Sequence, residues 1–157
     1  MNKTYMEKSI KIRKGTEQDV VALFQMIKEL AEFEKEPDAV IITPEILKND
    51  GFGERPLFEF LVAEVDQEIM GIALYYYAYS TWKGKFLYLE DLVVKNEARQ
   101  LGIGSALLLA LKEKTEREGL KRMGWQVLDW NESAIKFYEK HEAEISREWF
   151  NGRFNWE

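Results

Sequence analysis

The sequence predicts an α/β domain built from a mixed sheet with helices packed against it. Runs in which apolar residues alternate with polar ones indicate strands, and they are interspersed with segments whose apolar residues recur at helical spacing. The predicted order, β-α-α-β-β-β-α-β-α-β-β, is that of a layered α/β fold. The 157 residues suit one domain and contain no low-complexity linker. We therefore expect a single domain over 1–157, with 1–9 as a short flexible extension.

The first half of the chain predicts one strand and two helices. Residues 10–13 alternate as a strand, and Thr16 then offers an N-cap for a helix with an apolar stripe from Val20 to Ala31. That helix should end between Phe33 and Glu36, before Pro37. A second short helix should start after the pair Thr43-Pro44, followed by a glycine-rich loop over 50–56.

The second half predicts a meander, two helices and two further strand regions. Strands are expected over 58–65 and 69–79, joined by a turn at Asp66 and Gln67, and over 85–94. A helix over 105–118 ends at Gly119, a strand follows over 122–128, and a helix over 131–140 begins at an asparagine cap. Asn151-Gly152 lies between aromatic runs, which predicts a final hairpin.

Composition excludes several classes of function. There are no cysteines, so disulfides, thiolate metal sites and a cysteine nucleophile are excluded. No apolar run reaches the ~18 residues of a membrane helix, and the N-terminus lacks the apolar core of a secretory signal. The net charge of −6 disfavours nucleic acid as a partner and suits a cationic substrate. A cytoplasmic protein without membrane or nucleic-acid partners is expected.

A glycine-containing loop between a predicted strand and helix is a candidate anion site. In Arg99-x-x-Gly102-x-Gly104-Ser105, the glycines would let the main chain approach a phosphate, with helix N-terminal amides pointing at it. Arg99 could add a charged hydrogen bond. The phosphate-loop Gly-Lys-Ser/Thr is absent, and Leu107 breaks the dinucleotide glycine pattern. Taken alone, the loop is equally consistent with a tight turn.

Two motifs in sequence order resemble those of a known family. The segment Tyr88-Leu89-Glu90-Asp91-Leu92-Val93-Val94, followed by Arg99-Gln100-Leu101-Gly102-Ile103-Gly104, resembles the coenzyme A signature of GNAT acetyltransferases. The segment from Trp130 to Tyr138 resembles that superfamily's Asn-x-x-Ala-x-x-Phe-Tyr helix. Segments between Met26 and Lys140 further resemble the diamine (spermidine/spermine and thialysine) acetyltransferase branch.

The resemblance implies a twisted, mostly antiparallel sheet whose parallel strands splay apart at a coenzyme A site. Acetyl-CoA would be the cosubstrate, with no metal, and its pantetheine arm would bond to the main chain of one splayed strand as an added strand would. The cofactor-binding residues carried over are Leu92, Val93, Val94, Arg99, Gln100, Leu101, Gly102, Ile103, Gly104, Ser105, Asn131 and Ala134. Asn131 could alternatively serve only as a helix cap.

The resemblance also implies two catalytic residues. An amine attacks as the free base, although its pKa is near ~10.4, so the enzyme must accept a proton directly or through water. Glu90 is the candidate for amine binding and proton acceptance, whereas Asp91 should lie on the opposite face because side chains alternate along a strand. Tyr138 is the candidate acid for the leaving thiolate. Without the resemblance, these residues would pass for a surface carboxylate and a core aromatic.

The amine pocket should involve Phe33, Glu34, Trp82 and Glu90. Glu34 lies in a charge-rich helix end that could equally be a solvated face. Polyamine acetylating relatives typically carry Asp-Pro where this chain has Ser80-Thr81, which weakens a specific assignment of spermidine or spermine. Glu142 stands where a glycine is usual after the last helix, and His141 is interpreted as a helix-end residue rather than a base.

The resulting expectation is an acetyl-CoA-dependent N-acetyltransferase acting on a small primary amine by direct transfer in a ternary complex. Alternatives are a protein, peptide or amino-acid amine as acceptor, or a non-catalytic acyl-CoA-binding module. Four aromatic residues of the tail either finish the sheet or form a homodimer surface: Trp149, Phe150, Phe154 and Trp156. A homodimer is expected.

Overall fold

The computed structural model describes residues 9–156. The predicted extension over 1–9 lies outside the described residues except for its last position. The described chain divides into two compact units, and the boundary along the chain falls between Trp125 and Gln126.

Among its described residues, the first unit contains five strands and three α-helices. The strands are β1 (Ile10–Lys14), β2 (Glu59–Val65), β3 (Glu68–Ser80), β4 (Gly84–Val94) and β5 (Met123–Gly124), and the α-helices are α1 (Val20–Phe33), α2 (Pro44–Phe52) and α3 (Ile103–Arg117). Short 3₁₀ turns at Glu17–Asp19, Pro37–Ala39 and Asn96–Ala98 precede α1, α2 and α3.

The sheet is mixed, as the sequence predicts. Its strand order is β1-β2-β3-β4-β5, with antiparallel pairing from β1 to β4 and parallel pairing of β4 with β5. Asp66 and Gln67 join β2 to β3 with φ angles of 52° and 68°, which is the two-residue turn whose twist suits a hairpin. The parallel pairing is limited to two positions, Leu87 opposite Met123 and Tyr88 opposite Gly124.

Helices cover both faces of the sheet. On one face, Leu23 and Met26 of α1 pack with Phe60, Ile72 and Leu74 of the sheet, all of them buried. On the other face, α3 lies so close to β3 that a Cβ on Gly71 would stand 2.6 Å from the Ile103 side chain. The predicted Thr16 cap belongs to the 3₁₀ turn that precedes α1, where the Asp19 carboxylate accepts hydrogen bonds from the Thr16 amide and hydroxyl. The N-cap residue of α1 itself is Asp19.

Some boundary predictions are wrong. The expected loop over 50–56 begins later, because α2 continues through Gly51, which is packed against the Phe58 ring. The strand expected over 122–128 is only Met123–Gly124, and it ends where β4 stops pairing with it. Among the residues that the structure describes, no helix is long and apolar enough to cross a membrane.

The second unit holds helix α4 (Glu132–Lys140) and an extended tail. The asparagine cap is confirmed, since the Asn131 side chain accepts a hydrogen bond from the Ala134 amide at 3.1 Å. The predicted hairpin at Asn151-Gly152 is wrong, because residues 142–156 contain no strand. An isolated hairpin is marginal without a surface to pack on, and the tail aromatics, from Trp149 to Trp156, stay more than four-fifths exposed.

Candidate functional site

A β-bulge in β4 shapes the candidate site. Tyr75 of β3 lies opposite Leu89, whereas the preceding residue, Leu74, lies opposite Asp91. Glu90 is therefore the extra residue on β4, with no residue of its own across the ladder. An extra residue in one strand locally bends that strand and interrupts the alternation of its side chains between the two faces.

The bulge places Glu90 and Asp91 on the same face of the sheet. Asp91 lies opposite Leu74 of β3, so the two side chains share a face of the sheet. Tyr76 is two residues further along β3, and its side chain therefore lies on the same face as that of Leu74. The Tyr76 hydroxyl donates to Glu90 Oε2 at 3.2 Å, which places Glu90 on that face as well. The expectation that these carboxylates point to opposite faces is wrong, because the alternation of an unbroken strand does not hold across a bulge.

A third carboxylate, Glu34, completes this group at the end of α1. Glu34 is the residue that terminates α1, and its side chain is partly buried. Burial raises the pKa of Glu34, and the charge of Glu90 raises it further. We refer to Glu34, Glu90 and Asp91 as the carboxylate cluster. Glu34 and Glu90 were predicted for the amine pocket, whereas Asp91 was expected on the opposite face of the sheet.

Asp91 is the most perturbed member of the carboxylate cluster. Burial raises its pKa to about 7, with smaller contributions from the charges of Glu90 and Glu34. A carboxyl group with a pKa near neutrality changes protonation state in the range where enzymes work, which is the property required of a general base. The sequence does contain one signal of this arrangement. Asp91 is an acidic residue two positions after buried Leu89, and an uninterrupted alternation would place an apolar side chain at that position.

Two tyrosines line the carboxylate cluster. The rings of Tyr76 and Tyr88 lie 5.2 Å apart between centroids at an interplanar angle of 35°. Burial and the nearby Glu90 charge raise the pKa of Tyr76 to about 12, and the same causes raise the pKa of Tyr88. Both phenols therefore stay protonated and can donate hydrogen bonds at neutral pH. Sequence reasoning missed them, because strand tyrosines are equally typical of core packing.

The N-terminus of α3 has the geometry of an anion site. Gly102, its N-cap residue, has a φ of 80°, and the structure records no side-chain cap there. The first amides of a helix have no partner inside the helix, and they favour an anion. Gln100 also has a positive φ of 68°, and Leu101 is half exposed, so the loop turns sharply just before Ile103. Gly104 and Ser105 follow in the first turn of the helix.

Among the described residues, no strand pairs with the neighbouring edge of β4 beyond Tyr88, and we call this the open edge. The Lys95 amide donates to the Met70 carbonyl on the β3 side. Since main-chain groups alternate between the two edges of a strand, those of Leu92 and Val94 point to the opposite, open edge. Val93 is buried in the core, and its carbonyl faces β3. Of the three strand residues predicted to bind through their main chain, the structure therefore places two on the open edge.

Arg99 connects the anion loop with the end of α1. Its guanidinium lies over the Phe33 ring, 5.4 Å from the centroid. Such an arrangement fixes a cation beside an aromatic face. The structure thus brings together a residue predicted for the cofactor and one predicted for the amine, next to Glu34.

Trp82 lies at the other end of the same hairpin. It occupies the turn between β3 and β4, is 83% exposed, and its amide donates to the Ser80 hydroxyl at 3.2 Å. From Gly84, six residues of strand separate this turn from Glu90, roughly 20 Å at the usual rise. The structure therefore does not bring Trp82 to the carboxylate cluster within one chain.

In the second unit, α4 carries the remaining predicted residues. Asn131, together with Trp130, Glu132, Ser133 and Lys136, lines an open cleft of about 600 Å³. Ala134 lies in the first turn of α4, and Tyr138 is 8% exposed with its ring 5.2 Å from that of Phe137. His141 follows the end of the helix, as expected.

Comparison with known proteins agrees with the resemblance seen in the sequence. Residues 21–142 match the model of the acetyltransferase (GNAT) family. The chain is 41% identical over 160 aligned positions to thialysine N-epsilon-acetyltransferase of Sus scrofa, covering 95% of this chain and 94% of that protein. It is also 36% identical to human spermidine/spermine N(1)-acetyltransferase-like protein 1, covering 99% of this chain and 24% of that longer protein. A soil-metagenome aminoglycoside acetyltransferase structure shares the fold, with a TM-score of 0.77, 19% identity, and coverage of 94% and 97% of the two chains.

Proposed function

Because the chain belongs to the GNAT family and is an N-acetyltransferase, we propose that it transfers acetyl from acetyl-CoA to a small primary amine of the diamine, polyamine or thialysine type. The carboxylate cluster is the observation that carries this proposal. Glu34, Glu90 and Asp91 gather negative charge on one face of the sheet, with the aromatic wall of Tyr76 beside it. Such a site suits an acceptor that carries more than one positive charge.

The residues present fit acetyl-CoA. The uncapped start of α3 at Gly102 and the guanidinium of Arg99 suit a pyrophosphate. The main chain of Leu92 and Val94 suits the amide groups of a pantetheine arm. We include Asn131 and Ala134 of α4 on the strength of the family motif. Acetyl-CoA supplies the activated thioester, and the chain's own task is to hold that carbonyl beside the amine.

The proposed reaction is direct transfer in a ternary complex. The carboxylate cluster binds the ammonium form of the acceptor and provides a group that takes one of its protons. The exclusion of water from a partly buried site such as that of Asp91 strengthens these charge interactions. Tyr138 is proposed to donate a proton to the departing thiolate, since a phenol is protonated at neutral pH.

A panel of acceptors tests the function. Release of free thiol from acetyl-CoA would be measured with thialysine, a short diamine, spermidine, a monoamine of equal chain length and a lysine-containing peptide. We expect kcat/KM to be highest for acceptors with a second positively charged group. Preference for the peptide would replace the proposal by protein or peptide acetylation, and turnover of no amine would refute it.

Two variants test the assigned roles. Glu34→Gln should raise KM for a dicationic amine more than for the monoamine, because it removes one negative charge from the carboxylate cluster. Tyr138→Phe should lower kcat by about 10²-fold or more, the range found for loss of a general acid. Glu118→Gln is the matched control, since Glu118 also accepts from a tyrosine, Tyr77 at 2.8 Å, on an exposed surface away from the site. An unchanged kcat in Tyr138→Phe would remove that assignment.

We also propose that the protein is a cytoplasmic homodimer. The aromatic tail from Trp149 to Trp156 is an apolar surface of the kind that monomeric proteins rarely expose. Light scattering at micromolar concentration should give a mass near twice 18.5 kDa. Replacing Trp149 and Phe150 by serine should shift the mass toward the monomer, and a monomeric native chain would contradict the dimer.

A further inference from the structure

We propose that Asp91, rather than Glu90, accepts the proton that the amine must lose, whereas Glu90 and Glu34 bind the positive charges of the acceptor. This division of roles rests on the proposed function and goes beyond it. The sequence-based expectation gave both roles to Glu90 by resemblance to the family motif, and it set Asp91 aside because it placed that residue on the opposite face. The bulge removes that reason, since both carboxylates share one face.

The surroundings of the two carboxylates differ. Glu90 is exposed and accepts a hydrogen bond from the Tyr76 hydroxyl at 3.2 Å. Asp91 is partly buried opposite Leu74, a member of the apolar core beneath α1. A solvated carboxylate that is already hydrogen-bonded is suited to hold a cation. A carboxylate at the margin of an apolar core, still open on one side, is suited to exchange a proton.

The energetics of proton transfer favour Asp91. Transfer from an ammonium group (pKa ~10.4) to an ordinary aspartate (pKa ~3.9) is unfavourable by more than 10⁶. Burial and the neighbouring charges raise the pKa of Asp91 to about 7, so the same transfer is unfavourable by only ~10³. Proton transfer from the amine to Asp91 is therefore less unfavourable than transfer to an ordinary carboxylate.

Burial is the main cause of the raised pKa of Asp91, and two neighbouring charges add to it. Glu34 contributes from α1 and Glu90 from β4 itself, while Tyr76 and Tyr88 lie beside Glu90. Both carboxylates favour the protonated form of Asp91, and both tyrosines stay neutral. A bound ammonium would act in the opposite direction and lower the pKa of Asp91.

Atoms and charge are conserved in the proposed step. The ammonium nitrogen gives one proton to an Asp91 carboxylate oxygen, directly or through one water, and its freed electron pair forms the C–N bond to the acetyl carbon. The C–S bond breaks, and the second nitrogen proton ends on the sulfur by way of the acid group, proposed as Tyr138. Asp91 then releases its proton to water. The sum is one ammonium and one thioester giving one amide, one thiol and one proton.

Steady-state kinetics against pH test the assignment. In the wild type, kcat/KM should rise with pH through a limb near 7 that stays in place for two amines of different pKa. Asp91→Asn should lower kcat by 10²–10⁴-fold with little change in KM and should abolish this limb. Glu90→Gln should raise KM, keep the limb and move it to lower pH, because it removes a charge that raises the pKa of Asp91. Glu118→Gln serves as the control.

Three outcomes would overturn the proposal. They are an Asp91→Asn enzyme within threefold of the wild-type kcat, a limb that follows the pKa of the amine, and loss of the limb in Glu90→Gln. Carbon-13 NMR titration of the wild-type carboxyls without any ligand provides a readout independent of turnover, with one midpoint expected near 7.

The design separates this proposal from the proposed function. A wild-type enzyme that acetylates none of the amines refutes the function, whereas turnover that survives Asp91→Asn refutes only the assignment of Asp91. If Asp91→Asn fails to fold, as judged by circular dichroism, Glu34→Gln replaces it. In Glu34→Gln, the limb of the kcat/KM profile near pH 7 should shift to lower pH, because Glu34 also raises the pKa of Asp91. An unshifted limb would count against the proposal.

Discussion

Replacing Asp91 by asparagine should stabilise the folded protein at alkaline pH. An ordinary aspartate ionises with a pKa of ~3.9, whereas burial raises the pKa of folded Asp91 to about 7. Between these values the folded state binds more protons than the unfolded state, so the free energy of unfolding falls as pH rises. The penalty is absent below pH ~4 and complete above pH ~7. Asparagine resembles the neutral form in shape and does not ionise.

The magnitude follows from the size of the shift. About three pKa units at 1.36 kcal/mol each give a full penalty of ~4 kcal/mol. Roughly half of it develops above pH 5.5. The difference in unfolding free energy between Asp91→Asn and wild type should therefore grow by ~2 kcal/mol in favour of the variant between pH 5.5 and pH 8.5. Both conditions lie above the isoelectric point of about 5.1, which limits precipitation.

Urea unfolding at the two pH values measures this difference, and Asp19→Asn is a matched control. Asp19 is 8% exposed, and hydrogen bonds from Arg13 are the largest cause that lowers its pKa to about 2. Both its folded and unfolded pKa values lie below 5.5, so its effect on stability should be the same at both conditions. A pH-independent difference for Asp91→Asn would refute the reasoning, because it would mean that Asp91 is ionised throughout this range.

Three further predictions concern the framework. Asp19→Asn should cost about 2–4 kcal/mol at pH 7, because it breaks the paired contacts of Arg13 at 2.7 and 2.9 Å, and urea unfolding should show this cost shrinking as pH falls from 4 to 2. Gly71→Ala should cost about 1–3 kcal/mol in the same assay, since its Cβ would stand 2.6 Å from Ile103. Glu142→Gly should stabilise the protein by up to ~1 kcal/mol in thermal unfolding, because Glu142 follows α4 with a φ of 63°.

Strand and helix periodicity predicted most of the fold. The hairpin at Asp66-Gln67, the α3 helix ending before Gly119, and the cap at Asn131 are all local in origin, so local sequence sufficed. The tail could not be predicted in the same way. Asn151-Gly152 favours a turn, but a hairpin also needs a surface that buries its aromatic side chains, and such a surface is not encoded next to the turn.

The sequence predicted candidate site residues only where they belong to a family motif. The sequence motif located Glu90, Gly102 and Arg99, and the structure supplies the reasons for the last two in an uncapped helix start and an aromatic contact. Asp91 was set aside because the alternation rule assumes an unbroken strand. Register across a ladder is a non-local property, so a bulge cannot be read from one strand alone.

The bulge lies where the proposed amine and cofactor regions adjoin each other. A bulge bends its strand and increases the local twist, and β4 ends its pairing with β5 at Tyr88, two residues before Glu90. The bulge therefore gathers two carboxylates on one face, close to the edge on which Leu92 presents its main chain. Asp91 and Leu92 are consecutive, roughly 3.3 Å apart along the strand. If the bulge were removed by deleting Glu90, Asp91 would stay opposite Leu74 on that face, and the carboxylate cluster would keep only Glu34 and Asp91.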